Sequence, residues 1–225
     1  IFTGVASAIY FLNDVVDIEA DRAHPFKKKR PIAAGRLSKT LGLLVFGIGS
    51  VVGVGWAYSL SVLFGLVVGG YWMIMVLYSV WLKNVQALDV FIIALGFFLR
   101  VVAGAIVINA HLSIWFLMCV VATSLFLAAG KRRAEMAILA EQVAAHRRVM
   151  GKYSANILDS YLTMFATAAF LSWALFTFNF YEQAGIQSTP TTLLLISKTL
   201  TINKWLMATI PVVIFGIMRY IRIIY

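Results

Sequence analysis

The feature that most constrains this chain is a succession of apolar runs, each about as long as a bilayer core is thick. A helix needs about 20 apolar residues to cross that core. Candidate spans lie at 40–59, 62–82, 89–108, 112–129, 157–178 and 204–224, and residues 1–12 read as the end of another. Only 12% of the residues are charged against 62% hydrophobic, and the mean hydropathy is +0.91. Soluble domains carry about a quarter charged residues. An ordinary water-soluble enzyme, a disordered chain and a disulfide-stapled module are therefore excluded. Cys119 is the single cysteine, so no intrachain disulfide or cysteine-held metal can form. The expected fold class is all-α: one multi-pass transmembrane helical bundle over residues 1–225. The chain opens on Ile1 inside an apolar stretch, without Met or a charged leader. It is expected to be an internal segment of a longer membrane protein.

The formal net charge of +10 could suggest nucleic acid, but the positions of the cations argue otherwise. Segment 14–39 holds seven Lys/Arg and segment 130–155 holds six. Lys83, Arg219 and Arg222 fall on the same side by alternation, and the opposite side has only Lys198 and, at a span edge, Lys204. By the positive-inside rule both long basic segments are expected to be cytoplasmic loops of an integral protein of the cell membrane. Tight connections near 59–61 and 109–112 predict antiparallel neighbours. Glycines such as Gly47, Gly49, Gly53 and Gly55 fit close helix packing through small residues.

Nine Asp/Glu occur in the whole chain, and four lie within eight residues: Asp14, Asp17, Glu19 and Asp21. Asp14, Asp17 and Asp21 share one face of a helix, and Asn13 lies one turn before Asp17. Like charges so placed repel one another. A hard divalent cation offsets that repulsion, and Mg²⁺ is commonly shared between one or two carboxylates and a phosphate-bearing substrate. The bland alternative is a helix end neutralised by nearby lysines. After this cluster, Pro25, Pro31 and Gly35 end the helix in a loop holding Lys27, Lys28, Lys29 and Arg30. Such clusters bind phosphate, Lys as a point charge and Arg as a fork. His24 reads as a loop hydrogen-bonder rather than a general base.

The string Asn13-Asp14-x-x-Asp17-x-x-x-Asp21 followed by Arg30-Pro31-x-x-x-Gly35 resembles the UbiA superfamily of intramembrane transferases. The resemblance covers essentially the whole chain, which would lack the first span and the last span or so of a nine-helix protein. It implies a UbiA-like bundle with a central cavity opening to the cytoplasm and Mg²⁺-dependent transfer from a diphosphate donor. Most members carry a second Asp-rich motif in the later loop; here that segment reads Gly130-Lys131-Arg132-Arg133-Ala134-Glu135. The second pole is basic. Three stretches resemble one branch, the decaprenyl-phosphate phosphoribosyltransferases: His24 to Gly35, Leu82-Lys83 leading to Leu99-Arg100-x-x-Ala103-Gly104, and Gly130 to Glu135. That resemblance implies phosphoribosyl diphosphate as donor and a polyprenyl phosphate lipid as acceptor.

On this reading Asp14, Asp17 and Asp21 are the catalytic, metal-holding residues, with Asn13 orienting them. Lys27, Lys28 and Arg30 contact donor phosphates, and Lys131 and Arg132 contact the donor 5-phosphate or the lipid phosphate. Arg133 and Lys29 receive no role. Arg100 lies about 16 Å along its helix from Asp89, deep enough that a cavity-facing role is expected. Lys83 and Asp89 are expected to be an ion pair or site groups, Tyr78 an interfacial anchor or, as the alternative, a substrate hydrogen-bonder, and Asp159 an acid at a helix start. Lys131 and Glu135 have the spacing of a simple pair. Residues 134–150 are expected to form an amphipathic surface helix, and Lys152-Tyr153 a further phosphate contact. Two other readings remain open: prenyl transfer to an aromatic acceptor, with Glu135 replacing a metal ligand, and a transporter or scaffold. Oligomeric state is open as well.

Overall fold

The computed structural model describes residues 1–138, 154–183 and 202–225. Its helices are α1 (Phe2–Val16), α2 (Ile18–Ala23), α3 (Lys39–Leu60), α4 (Val62–Val80), α5 (Leu88–Ile108), α6 (Ile114–Ile138), α7 (Ala155–Gln183) and α8 (Ile210–Ile224). Short 3-10 turns occupy Lys27–Lys29, Leu82–Asn84 and Ile202–Thr209. The described residues contain no strand. Six stretches are long and apolar enough to cross a membrane: Lys39–Leu60, Val62–Val80, Leu88–Ile108, Ile114–Ala137, Ala155–Phe180 and Leu206–Ile224. Large apolar side chains such as Val51, Trp56, Leu66 and Met73 point outward, as they must when the surrounding solvent is hydrocarbon.

The hairpins close locally. Ser61 alone joins α3 to α4, in extended conformation (φ −162°, ψ 136°). At the end of α5, Asn109 takes the left-handed conformation (φ 50°) and its N–H reaches back to the carbonyls of Ala105 and Ile106. Asn enters that region at low cost because its short polar side chain bonds locally. Gly35, at φ 75°, performs the same reversal in the basic loop. There the N–H of Arg36 donates to the carbonyl of Pro31 at 2.9 Å, which explains the glycine of the Arg30–Gly35 motif.

Neighbouring helices pack in a row: α1 against α3 and α4, α4 against α5, α5 against α6, and α6 against α7 and α8. Two cores result. One joins Val5 and Ile9 of α1, Ala57 of α3, Phe64 and Val68 of α4 and Ala103 of α5. The other joins Val90 of α5, Phe126 and Ala129 of α6, Leu162 of α7 and Ile224 of α8. Gly42, Gly49 and Gly53 form a stripe on α3. A Cβ at Gly53 would lie 2.5 Å from Val5, and one at Gly49 would lie 2.9 Å from Ala8. Gly47 and Gly55 face open space, so close packing accounts for only part of the glycine content.

One boundary departs from the sequence expectation. Residues 130–138 continue α6 instead of starting a loop. Charges do not end this helix, because Arg132 is neutralised internally by Asp89 and Glu135. The rest of the expected amphipathic segment and Lys152-Tyr153 lie outside the described residues, as does Lys198.

Replacing Gly53 by Leu should force α1 and α3 apart and destabilise the protein by about 1–3 kcal/mol, the usual cost of overpacking. Gly47→Ala, facing open space, should stay within about 0.5 kcal/mol of the parent. Thermal unfolding of the two variants in detergent checks this contrast.

Candidate functional site

A cavity of about 610 Å³ lies between α1, α2, α4, α5 and α6, within the roughly 300–1,000 Å³ of small-molecule sites. Each helix presents one face to it: Ala6, Ile9, Tyr10, Asn13 and Asp17 from α1 and the residue capping it, Tyr71, Met75, Tyr78 and Ser79 from α4, Ile93, Gly96, Phe97 and Arg100 from α5, and Leu127, Ala128, Lys131, Arg132 and Glu135 from α6. The spacings of three, four and seven are those of a single helix face. One end of the cavity is apolar and aromatic, and the other carries nearly all the charge. The lining side chains include six cations (Lys27, Arg30, Lys83, Arg100, Lys131, Arg132) against three carboxylates (Asp17, Asp21, Glu135).

The acidic cluster stands where α1 gives way to α2. Asp17 leaves helical geometry (φ −92°, ψ 9°) and caps both helices. Its N–H still donates to the carbonyl of Asn13, and its own carbonyl accepts from Asp21. Asp17 and Asp21 face the cavity. Asp14 does not line it; instead Nη1 of Arg30 donates to Asp14 at 2.8 Å and to Asp21 at 2.9 Å. Burial pushes the Asp14 carboxyl above its ordinary range; Arg30 opposes the rise, and the charges of Asp21 and Asp17 add to it. Lys83, almost fully buried, donates through Nζ to Asp17.

The three-aspartate chelate expected from the spacing is thus not formed. Among the described residues no three His, Cys, Asp or Glu side chains are grouped to hold a metal. The break at Asp17 and the cation beside each carboxylate separate their roles. A smaller donor set fits magnesium. Asp17 and Asp21 supply two cavity-facing carboxylates, with the Asn13 amide on the same wall, and Mg²⁺ ordinarily needs one or two carboxylates plus substrate phosphate oxygens.

The basic loop folds onto the cavity mouth. Nε of Arg22 donates to the carbonyl of Ala33 at 3.1 Å. Nδ1 of His24 accepts from the N–H groups of Phe26 and Lys27 at 3.1 and 3.2 Å, so this buried histidine shapes the loop, as the sequence suggests. Lys27 and Arg30 line the cavity. Lys28 is exposed and away from its wall, because the 3-10 turn at Lys27–Lys29 sends successive side chains in different directions.

The opposite wall is built on Arg132, which is 2% exposed. Its Nε donates to Asp89 at 2.7 Å, Nη1 to Glu135 at 2.8 Å and Nη2 to the Tyr78 hydroxyl at 3.1 Å. All three nitrogens are committed to protein groups. Arg132 therefore acts first as a strut joining α4, α5 and α6, where sequence reasoning expected an open phosphate ligand. Tyr78 belongs to this strut and is not an interfacial anchor. Asp89, fully buried, pairs with Arg132, and Lys83 pairs with Asp17. Glu135 takes Lys27 at 3.1 Å as well as Arg132, tying the basic loop to α6. Asp159 pairs with Arg133 at 2.8 Å and bonds Tyr225, a contact between α6, α7 and the end of α8.

Arg100 lines the cavity as expected. Sequence reasoning missed Tyr10, Tyr71 and Asn84. The first two were legible as the i+7 companions of Asp17 and Tyr78.

Replacing Asp89 by Ala strands the Arg132 guanidinium and should destabilise the protein by about 3–5 kcal/mol, the cost of breaking a buried pair. Removing Arg132 as well should cost less than the two single changes added together. Unfolding midpoints of the two single variants and the double variant test this coupling.

Residues 1–150 match the UbiA prenyltransferase family. Two relatives bear the name decaprenyl-phosphate phosphoribosyltransferase. The one from Mycolicibacterium smegmatis is 35% identical over 179 residues, covering 80% of this chain and 56% of its own length. The one from Corynebacterium glutamicum is 36% identical over 186 residues, covering 82% and 56%. The chain thus spans just over half the length of these curated relatives. A solved structure of a UbiA homolog from Archaeoglobus fulgidus, bound to GPP and Mg²⁺, superposes with a TM-score of 0.72 at 15% identity, covering 98% of this chain and 71% of that one. It shares the helical architecture described above. With a family match over two thirds of its residues and this shared fold, the chain belongs to the UbiA prenyltransferase family.

Proposed function

We propose that this chain carries the reaction cavity of a transferase that moves a 5-phosphoribosyl group from phosphoribosyl diphosphate to a polyprenyl phosphate such as decaprenyl phosphate, releasing diphosphate. One observation carries the reading: six cations outnumber three carboxylates within a single cavity that reaches into an apolar bundle. Such a lining suits substrates with several phosphates. The names of the mycobacterial and corynebacterial relatives favour the same donor and acceptor. The positive-inside bias of the basic segments supports a cavity mouth on the cytoplasmic side of the cell membrane.

Asp17 and Asp21 hold magnesium on the donor diphosphate, with Asn13 beside them. The metal, when bound, neutralises the charge that develops on departing diphosphate. Arg30 and Lys83 already stand on these carboxylates, so both are in place to take up diphosphate oxygens. Lys27 and Lys131 add positive charge around the donor. Asp14 holds Arg30 from behind, and the Arg132 strut fixes the α6 wall. Lys28, exposed on the loop, steers anionic donor toward the mouth through its field. In the reaction the bond from C1 of the ribose to diphosphate breaks, its electron pair leaving with diphosphate. An oxygen of the lipid phosphate forms the new bond to C1. That oxygen is already anionic at neutral pH, so no side chain has to remove a proton from it.

Full-length protein in membranes, given labelled phosphoribosyl diphosphate and polyprenyl phosphate, should label lipid only when Mg²⁺ is present. Asp17→Asn should lower kcat by about 100-fold or more, the usual loss when charge stabilisation of a leaving group is removed. Lipid labelling from a prenyl diphosphate with none from phosphoribosyl diphosphate would replace this reading by prenyl transfer. An Asp17 variant with unchanged turnover would remove the cluster from the chemistry.

A further inference from the structure

The deep end of the cavity contains a charge that the carboxylate pole does not explain. Arg100 is eleven residues beyond Asp89 on α5, about 16 Å along the helix. Its guanidinium carbon lies 5.5 Å from the Phe2 ring and 5.7 Å from the Phe97 ring. Phe2 itself stands at the start of α1, fifteen residues before Asp17, about 22 Å along that helix. Two helices therefore agree that Arg100 is remote from the aspartates. Tyr71 packs on Phe2 with ring centroids 4.5 Å apart, and its side chain neighbours Arg100. Lys27, Arg30, Lys83, Arg132 and Arg133 each pair with a carboxylate, whereas among the described residues no carboxylate pairs with Arg100. A guanidinium at this depth is expensive unless it meets an anion or lines a cavity, and aromatic faces offset part of the cost.

We propose that Arg100, with the Tyr71 hydroxyl beside it, is the recognition site for the phosphate monoester of the lipid acceptor. The inference rests on the phosphoribosyl-transfer reading and assigns one substrate of that reaction to this pole. In a displacement at C1 the nucleophile arrives on the side away from the leaving group. With diphosphate held at the carboxylate end, the incoming oxygen approaches from the deep end, where Arg100 is the cation. A substrate with a charged head and an apolar tail also matches a guanidinium set among Phe2, Phe97 and Tyr71. The donor 5-phosphate has the same monoester chemistry, and the experiment separates the two sources.

Full-length protein is compared with Arg100→Gln, Arg100→Lys and Tyr71→Phe, each checked for an unchanged melting temperature. Arg100→Gln should raise KM for decaprenyl phosphate at least tenfold while equilibrium binding of labelled phosphoribosyl diphosphate with Mg²⁺ changes less than twofold. Arg100→Lys should fall between Gln and the parent, since it keeps the charge but loses the fork. A second measurement needs no turnover: parent protein should bind farnesyl phosphate more tightly than farnesol, and Arg100→Gln should abolish that preference. If Arg100→Gln weakens donor binding while the acceptor KM holds, the site belongs to the donor 5-phosphate and the proposal falls. If the lipid-phosphate preference survives in Arg100→Gln, the proposal falls as well. A parent that makes no phosphoribosyl lipid, yet loses its farnesyl phosphate preference with Arg100, refutes the transfer reading and keeps the anion site.

Discussion

The structure depends on the neutralisation of charge inside an apolar bundle. Each cavity carboxylate is held by a cation from another segment: Asp21 by Arg30 of the basic loop, Asp17 by Lys83 of the turn before α5, and Glu135 by Lys27. Just behind the wall, Asp89 is held by Arg132. These pairs do more than cancel charge. They attach the loop after α2 to α1 and to α6, and they join α5 to α6. In hydrocarbon, helices gain little from hydrophobic association, since lipid tails are as apolar as leucine. Polar contacts and close packing must therefore specify which helices meet. Here the charged links surround the cavity, and the glycine stripe on α3 sets the approach of α1.

This division explains what could be read from the chain. Span positions were legible because length and hydropathy are properties of a single segment. The place of the acidic pole in the cavity was legible in outline because acids are scarce and four of them fall together, two of which line the cavity. Pairing was not legible. The i, i+3, i+7 spacing of the aspartates assumes one continuous helix, and α1 ends at Asp17. The spacing of Lys83 and Asp89 suggests a local pair, but both look across the bundle instead. Arg132 looks like a loop cation because Lys131 and Arg133 flank it. Only the depth of α6 within the bundle makes it the largest fully buried side chain of the described residues. In each case a partner distant in sequence displaced a local rule.

The cavity faces offered a sequence signal of a different kind. Asp17, Asn13, Tyr10 and Ala6 recur at the steps of one helix face, as do Glu135, Lys131, Ala128 and Leu127. Starting from a charged residue at a helix end and stepping inward by three or four therefore marks the lining. This works in a membrane because outward positions must be apolar, so a polar side chain within a span points either at a neighbour or at a cavity.

The character of the second pole follows from the same pairing. A second metal opposite the Asp-rich cluster would need open carboxylates on α6. Glu135 is the one acid that α6 places on the cavity wall, and both of its oxygens are engaged, Oε1 by Lys27 and Oε2 by Arg132. Releasing it would leave Arg132 buried with a partner lost, at a cost of several kcal/mol. The α6 wall consequently presents cations to the cavity, and Arg100 extends that positive lining toward the deep end. A prenyl tail would gain nothing from charge placed there. On the proposed transfer reading, a substrate bearing phosphate at more than one position would gain at each, so the distribution of cations along the cavity, and not the aspartates alone, would govern which donor and acceptor fit.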